Sequence, residues 1–306
     1  MRVALLAGGL GGSRFARALA ETVGPGNLTV VGNVGDDVEV FGLHVSPDLD
    51  TILYTLAGLL DEEQGWGRRG ETWNALAAAD ELGAETWFRL GDRDLGLHLV
   101  RTEALRGGEP LSVVTARLAR ALGVDVSLLP ATDDRLRTWV ETPAGELPFQ
   151  DWFVRRQHRD EVDGVRFEGA EQARAAPGVL EALDEADLIA IAPSNPFVSI
   201  GPILAVAEIR AALERRRVPA VAVSPLIGGR TVRGPADRML ARLAGGTGPA
   251  QVTDCYKDLI DALVIDEADA DEPAPIRTIV TRTLMHDAES RRVLAEAVLE
   301  TAAALR

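Results

Sequence analysis

The chain of 306 residues carries 47 acidic and 32 basic side chains, for a formal net charge of −15, and a single cysteine, Cys255. The acidic balance argues against non-specific nucleic-acid binding, because the protein's field repels phosphate backbones, and the lone cysteine excludes an internal disulfide and fits a reducing cytosol. No segment approaches the ~20 apolar residues that cross a bilayer, so we expect a cytoplasmic protein of about two domains, with no nucleic-acid or membrane partner.

The first predicted element is a short apolar strand, Val3–Ala7, which leads into a glycine-rich turn. Four of the five residues 8–12 are glycine, which removes the Cβ atoms that would keep an anion away from the backbone. The helix predicted at Ser13–Val23 adds unpaired N–H groups and the positive end of its dipole. The turn therefore predicts a phosphate site, with a tightly packed turn as the alternative. It is not the dinucleotide fingerprint G-x-G-x-x-G, because the third glycine, counted from Gly9, would fall on Arg14.

Further apolar runs alternate with helix-like segments at both ends of the chain. Strands are predicted at Leu28–Val31, Leu188–Ala192, Ala220–Ser224, Ala262–Ile265 and Ile276–Thr281. Helices are predicted at Leu49–Leu60, Ile203–Arg215, Pro235–Leu243 and Ala288–Ala304. This alternation predicts an α/β fold with a doubly wound, Rossmann-like, mostly parallel sheet.

The middle of the chain has a different pattern. Helical periodicity is found at Glu71–Leu82, Leu95–Arg106 and Leu111–Leu122. Aromatic, partly alternating stretches follow at Leu136–Thr142, Glu146–Val154 and Val165–Gly169. We therefore expect a core at residues 1–60 and 186–306, interrupted by an α+β insertion at residues 61–185 that covers part of the site.

Acidic residues follow the second predicted strand and reappear where the next helix begins. They are Asp36 and Asp37, then Asp48 and Asp50. Ligands of doubly wound sheets bind beyond the carboxyl ends of the strands, and carboxylates beside a bound phosphate would repel it unless a divalent cation lay between them. Mg²⁺ takes one or two carboxylates together with phosphate oxygens, so we favour Asp36 and Asp50 as its ligands. The alternative is a helix N-cap preceded by a solvated turn.

Two later loops also follow predicted strands. Ser194, Asn195 and Ser199 could hydrogen-bond a phosphate or a nucleobase edge, or could serve only to cap the next helix. Arg230 and Arg233 lie in a glycine-rich loop and suit bidentate phosphate contacts. In the insertion, a tryptophan at 66 or 73 could stack on a flat heterocycle, although core packing is the commoner role. The four histidines show no zinc-ligand spacing.

Six motifs, taken together and in order, resemble one family over essentially the whole chain. They are Gly8–Arg14, Asn33–Asp37, Pro47–Thr51, Trp66–Gly67 with Glu71–Asn74, Leu90–Asp94 and Ala192–Pro196. With these motifs the chain resembles the 2-phospho-L-lactate transferases of coenzyme F-420 biosynthesis.

The resemblance implies a metal-dependent transferase. A phospholactyl or phosphoenolpyruvyl group would pass from its guanosine diphosphate-linked donor to the ribityl 5′-hydroxyl of the deazaflavin Fo, with release of GMP. It also implies a homodimer. Asp36 and Asp50 would hold Mg²⁺ and form the catalytic pair, and Asp50, if not a ligand, could accept the hydroxyl proton. We expect the guanosine diphosphate part to contact Gly9, Gly11, Gly12, Ser13, Arg14, Ser194, Asn195, Ser199 and Arg230. We expect the deazaflavin to contact Trp66, Arg69, Thr72, Asn74 and Asp92.

Two other interpretations stay open at this point. Regulators that bind nucleotide sugars share such a sheet, but they usually begin with a Gly-Gly-Gly-Thr-Gly-type loop, where this chain has Leu10, and they lack the tryptophan-rich motif. An NAD-dependent oxidoreductase would place a ribose-binding acid near Asp36, but the glycine spacing and the acidic cluster count against it. The sequence does not decide which three-carbon acid the donor carries.

Overall fold

The computed structural model describes residues 1–306. Its twelve strands are β1 Val3–Ala7, β2 Leu28–Gly32, β3 Val38–Val40, β4 Leu43–Val45, β5 Ser127–Pro130, β6 Arg137–Thr142, β7 Gly145–Pro148, β8 Gly164–Glu168, β9 Leu188–Ile191, β10 Ala220–Val223, β11 Ala262–Asp266 and β12 Arg277–Thr281. Its α-helices are α1 Gly9–Val23, α2 Pro47–Leu56, α3 Asn74–Glu81, α4 Asp92–Arg106, α5 Leu111–Ala121, α6 Val179–Glu185, α7 Gly201–Ala205, α8 Ala207–Glu214, α9 Ala236–Leu243, α10 Pro249–Cys255 and α11 Ala288–Ala304. Short 3₁₀ turns lie at Pro25–Asn27 and Glu267–Asp269, and π-helical turns lie at Asp151–Arg155 and Pro196–Ile200.

Seven strands form one parallel sheet in the order β12-β11-β10-β9-β1-β2-β5. The chain builds the sheet outwards from β1 in one direction and then, from β9, in the other. The sheet is therefore doubly wound, which confirms the predicted fold class. The reversal lies where Val3 of β1 pairs with Leu188 of β9, and it opens a crevice at the carboxyl ends of these two strands.

The apolar composition of the strands explains their central position. Every residue of β1, β9 and β10 is buried, because helices cover both faces of the sheet. Helix α1 packs between α2 and α11. The glycine turn at the start of α1 is therefore held between two central strands and a layer of helices.

The segment 61–185 differs in one respect from the insertion that the sequence predicts. It contains α3–α5 and a small antiparallel sheet, β7-β6-β8, as its pattern indicates. It also supplies β5, which pairs in parallel with β2 at the edge of the central sheet. The expectation that the whole segment lies outside the sheet is wrong for this strand, because Ser127–Pro130 is only four residues long, ends in proline and shows no clear apolar run.

The helix predicted at Ile203–Arg215 is two helices, α7 and α8, separated at Val206. The segments Pro196–Ala205 and Ala207–Glu214 meet there at an angle of 92°. No single helix in the protein is long and apolar enough to span a membrane; only this bent pair, taken together, reaches that length and apolar character.

Candidate functional site

A cavity of about 640 Å³ lies at the carboxyl ends of β1 and β9, where the strand order reverses. The glycine turn, the loop after β9, the start of α2 and one face of α4 line its inner part. The segments around Trp66, Trp87 and Phe149, together with the loop after β10, line its outer part. The cavity therefore joins the core of the fold to the inserted segment.

The glycine turn lies close against the backbone of the loop that follows β9. Helix α1 begins at Gly9, and the hydroxyl of Ser194 donates to the carbonyl oxygen of Gly8 at 2.7 Å, which ties the loop after β9 to the turn. A Cβ on Gly11 would overlap the carbonyl oxygen of Pro193, so no other residue fits there without a backbone shift. The result is a partly buried helix N-terminus at the cavity wall, where the Gly9 N–H donates to the carboxylate of Asp48; helix N-termini favour anions.

The predicted residues of this turn divide into two groups. Gly9, Gly11 and Arg14 line the cavity. Gly12 and Ser13 lie behind it: the Ser13 hydroxyl donates to the Leu10 carbonyl and accepts from Thr55, each at 2.9 Å. Gly12 and Ser13 therefore support the conformation of the turn without lining the cavity.

Asp36 and Asp48 form a buried acidic pair in the cavity wall. The hairpin β3–β4 connects Asp36 to Asp48 along the chain. The side-chain amide of Asn33 donates a hydrogen bond to Asp48 at 2.9 Å. Burial, together with the charge of Asp48, raises the pKa of Asp36 well above its usual range, and one oxygen of Asp36 has no hydrogen-bond partner. Burial likewise raises the pKa of Asp48 to about 6, against hydrogen bonds from Asn33 and the Gly9 N–H that lower it.

This pair fits a cation that binds together with its substrate. A divalent ion would relieve the burial and repulsion of the two carboxylates. No group of three or more His, Cys, Asp or Glu side chains is arranged to hold a metal ion. Asp36 and Asp48 are thus the carboxylates that could hold a divalent ion, with the oxygens of a bound diphosphate as further ligands.

Asp50 lines the same cavity but has a different partner. Both of its oxygens accept hydrogen bonds from the guanidinium group of Arg101, one of them at 3.0 Å. Arg101 is 1% exposed and extends from α4, so the ion pair joins the core to the inserted segment. The structure thus places Asp36 and Asp50 in one cavity with the glycine turn, as expected, and pairs Asp50 with an arginine that sequence analysis did not identify.

Three further polar residues lie beside this ion pair at the floor of the cavity. Tyr54 donates to Asp94, and the Nε2 atom of His98 lies 3.3 Å from the same carboxylate. Burial tends to raise the pKa of Asp94, but the hydrogen bonds and charge of His98 outweigh it and hold the pKa below its usual value. The signal in the sequence was the spacing of 98 and 101 within the predicted helix Leu95–Arg106; α4 begins earlier, at Asp92, so Asp94 lies on the same face.

Aromatic side chains form the outer walls of the cavity. Trp66 contacts Trp73 edge to face, with ring centroids 6.2 Å apart, and the guanidinium group of Arg89 lies 4.2 Å from the Trp73 ring. Elsewhere in the wall, Phe149 and Phe153 stack with centroids 5.1 Å apart. Trp66 lines the cavity as expected, and Arg89, Phe149 and Phe153 are lining residues that sequence analysis missed.

The other residues predicted to contact a heterocycle do not line the cavity. Asp92 accepts hydrogen bonds from Thr72 at 2.6 Å and Asn74 at 2.8 Å, and these bonds lower its pKa to about 2. Asp92 also accepts the Ala75 N–H at 3.0 Å, so this cluster caps the start of α3. Arg69 donates to the Gly58 carbonyl at 3.2 Å. These four side chains therefore hold the segments next to the cavity in place by hydrogen bonds and do not contact the cavity themselves.

The two predicted loops divide in the same way. Ser194, Asn195 and Ser199 line the cavity, and Asn195 also caps the following turn by accepting the Phe197 N–H at 2.9 Å. Arg230 lies outside the cavity. Arg233, three residues later, lines it and donates to the carbonyl oxygens of Gln64 at 2.8 Å and Glu63 at 3.2 Å.

Arg233 therefore fastens the loop 61–67 over the cavity, and Gly65→Ala tests this contact. A Cβ at Gly65 would overlap the Arg233 guanidinium group, so we expect loss of both hydrogen bonds and amide exchange in residues 61–67 that is about tenfold faster. Gly67→Ala is the matched control, because Gly67 has a similar φ, +70° against +76°, and open space around it. Equal exchange rates in the two variants would contradict the role given to Arg233.

Known proteins resemble the chain over nearly its whole length. The family model described as 2-phospho-L-lactate transferase CofD matches residues 3–302. A phosphoenolpyruvate transferase of Kitasatospora aureofaciens is 45% identical and covers 100% of this chain and 99% of the relative. One of Mycolicibacterium smegmatis is 38% identical and covers 99% of each. A solved structure of a UPF0052-family protein from Bacillus halodurans shares the fold, with a TM-score of 0.64, 18% identity, and coverage of 97% of this chain and 98% of that one. The chain thus belongs to the 2-phospho-L-lactate transferase CofD family and is a transferase of a phospholactate-type group.

Proposed function

We propose that the protein transfers a phospholactyl or phosphoenolpyruvyl group from its guanosine diphosphate-linked donor to the ribityl 5′-hydroxyl of the deazaflavin Fo, with release of GMP, in coenzyme F-420 biosynthesis. The observation that carries the proposal is a single cavity with three different surfaces. It holds a helix N-terminus, a buried pair of carboxylates and aromatic walls. A diphosphate, a divalent cation and a flat heterocycle match these surfaces in turn.

The donor's diphosphate would bind at the glycine turn. Gly9, Gly11 and Ser194 line the cavity there, with the Ser194 hydroxyl bonded to the Gly8 carbonyl oxygen, and Arg14 lines it as well, paired with Glu62 at 3.0 Å. Mg²⁺ would be held by Asp36, as predicted from sequence. Its second protein ligand would be Asp48, because the oxygens of Asp50 are engaged by Arg101. When bound, the ion would neutralise the charge that builds on the departing GMP.

The acceptor would lie with its ring against the aromatic walls and its hydroxyl chain toward the floor. Asp50, fixed by Arg101, would accept a hydrogen bond from the attacking hydroxyl and orient it toward the phosphorus. Positioning and charge neutralisation supply most of the rate gain in phosphoryl transfer, so a weak base suffices for the proton.

The direct test is to incubate the protein with Fo, Mg²⁺ and each guanylylated three-carbon acid separately, and to analyse the deazaflavin product by mass. We expect one acid to give a phosphodiester product and GMP in equal amounts, and a chelator to stop the reaction. Absence of product with every acid, combined with tight binding of a UDP-sugar, would instead favour a nucleotide-sugar-binding regulator.

Asp50→Asn tests the role of Asp50. We expect turnover to fall about tenfold, because the amide offers one acceptor oxygen where the carboxylate offers two. The substitution also leaves Arg101 buried without its counter-charge, at a cost of about 3–5 kcal/mol of stability. The double variant Asp50→Asn, Arg101→Met removes that buried charge, so we expect stability to recover while turnover stays low. Normal turnover of the double variant at saturating Mg²⁺ would rule out both roles considered for Asp50, metal ligand and proton acceptor.

A further inference from the structure

The main chain at Asp36 is held by hydrogen bonds from the inserted segment. The Gly35 carbonyl oxygen accepts the Thr138 N–H at 2.8 Å, and the Asp36 carbonyl oxygen accepts the side-chain amide of Gln150 at 2.8 Å. The two segments also lie close together, because a Cβ on Gly35 would overlap the side chains of Thr138 and Pro202. Residues 138 and 150 therefore fix the backbone of a carboxylate residue that belongs to the core.

Gln150 is well placed to act as a fixed donor. It is 5% exposed, and it lies between β7 and the π-helical turn Asp151–Arg155. Its neighbours Phe149 and Trp152 are buried in a small apolar core that also contains Val140, Val162, Val198 and Met239. A carbonyl oxygen can only accept, so the NH₂ group of the Gln150 amide must point to Asp36. Packing and hydrogen bonding together hold this side chain in one orientation.

Asp36 needs such support if it binds a cation. A carboxylate whose oxygens bind a metal ion cannot use them to anchor its own side chain, so its position depends on its backbone. The charge of Asp48 also repels that of Asp36 until a cation is present. Groups that hydrogen-bond behind a metal ligand typically contribute about 10- to 100-fold to metal affinity.

We propose that Gln150 is a positioning residue, which holds the backbone of Asp36 so that its carboxylate stays in place for the cation. This inference rests on the proposed function and deepens it, because it makes the cation site depend on the inserted segment. Phe149 and Phe153, on either side of Gln150, form part of the aromatic wall. One short segment thus serves both the acceptor ring and the metal ligand.

The affinity for Mn²⁺, measured by electron paramagnetic resonance in the presence of saturating GDP, tests this role. Gln150→Met keeps the length of the side chain and removes its N–H donor, so we expect Mn²⁺ to bind about tenfold more weakly. The affinity for Fo without metal, measured by calorimetric titration, should stay within about twofold of the wild type. Damage to the segment that carries Phe149 and Phe153 would instead weaken the binding of both Mn²⁺ and Fo.

Gln157→Met is the matched control, because it makes the same chemical change seven positions later. The side chain of Gln157 accepts a hydrogen bond from Arg159 and makes none to Asp36. We expect this variant to bind Mn²⁺ and Fo as the wild type does. Thermal unfolding of both variants checks that each is folded under the conditions of the titrations.

The outcomes separate the role of Gln150 from the proposed function. If the wild type binds no Mn²⁺ in the presence of GDP, or binds no Fo, the proposed function fails and the inference fails with it. If the wild type binds both, the role of Gln150 alone is overturned by any of three results. These are unchanged Mn²⁺ affinity in the Gln150→Met variant, equal losses of Mn²⁺ and Fo in that variant, or an equal loss of Mn²⁺ in the Gln157→Met variant.

Discussion

Asp36→Asn is expected to lower kcat by about 100- to 1,000-fold at saturating Mg²⁺ and, at the same time, to stabilise the metal-free protein. Removing one well-placed group that stabilises the charge of a transition state costs a factor of this size. The asparagine is a neutral and weaker metal ligand, so the cation would be lost or misplaced. Stability should rise because burial and the Asp48 charge make the ionised form of Asp36 unfavourable, as its raised pKa shows.

The adjacent residue supplies a control for Asp36. Asp37 is equally buried, but it accepts hydrogen bonds from His44 at 2.8 Å and Ser46 at 2.9 Å and does not line the cavity. We therefore expect Asp37→Asn to keep the dependence of the rate on Mg²⁺ concentration. Steady-state rates across a Mg²⁺ series and thermal unfolding without metal check both variants. Near-normal turnover of the Asp36→Asn variant, or equal losses in the two, would exclude Asp36 as a ligand.

Most of the central sheet could be predicted because its strands are short apolar runs bounded by turn residues. The runs beginning at Val3, Leu28, Leu188, Ala220 and Ala262 each became a strand of the sheet at nearly the predicted bounds. Burial on both faces makes such a run apolar throughout, and that local property is visible in sequence. The strand Ser127–Pro130 is held at the sheet edge by pairing with β2, and long-range pairing leaves no local pattern.

The site could be predicted only where local patterns determine it. The glycine turn was recognisable from its composition, and Asp36 from its position after a predicted strand. The role of Asp92 could not be inferred, because it caps α3 from eighteen positions beyond Asn74, and only the tertiary fold brings them together. The role of Arg101 could not be predicted for a related reason. The sequence does not distinguish a buried arginine from a surface one, and only the fold shows that Arg101 pairs with Asp50.

Gly11→Ala is the second substitution with a large expected effect, and its cause is steric. The added methyl group would overlap the carbonyl oxygen of Pro193, which belongs to the backbone and has no rotamer to escape into. The glycine turn and the loop after β9 must therefore move apart, at a cost of about 1–3 kcal/mol of stability. A shift of about 1 Å between groups that position a substrate can cost about 100-fold in rate, so we expect kcat/KM for the donor to fall by that factor.

Gly96→Ala shows what the same change does where space is open. Gly96 lies in the exposed middle of α4, with no neighbouring atom within 4 Å of the added Cβ, so alanine should stabilise the protein by about 1 kcal/mol and leave kcat/KM unchanged. Thermal unfolding and initial rates at limiting donor concentration compare the two variants. The strand order reverses between β1 and β9, and the turns after these two strands approach each other at Gly11 and Pro193. A fully active Gly11→Ala variant would mean that the donor does not bind at this turn, and the assignment of the diphosphate to the start of α1 would have to be abandoned.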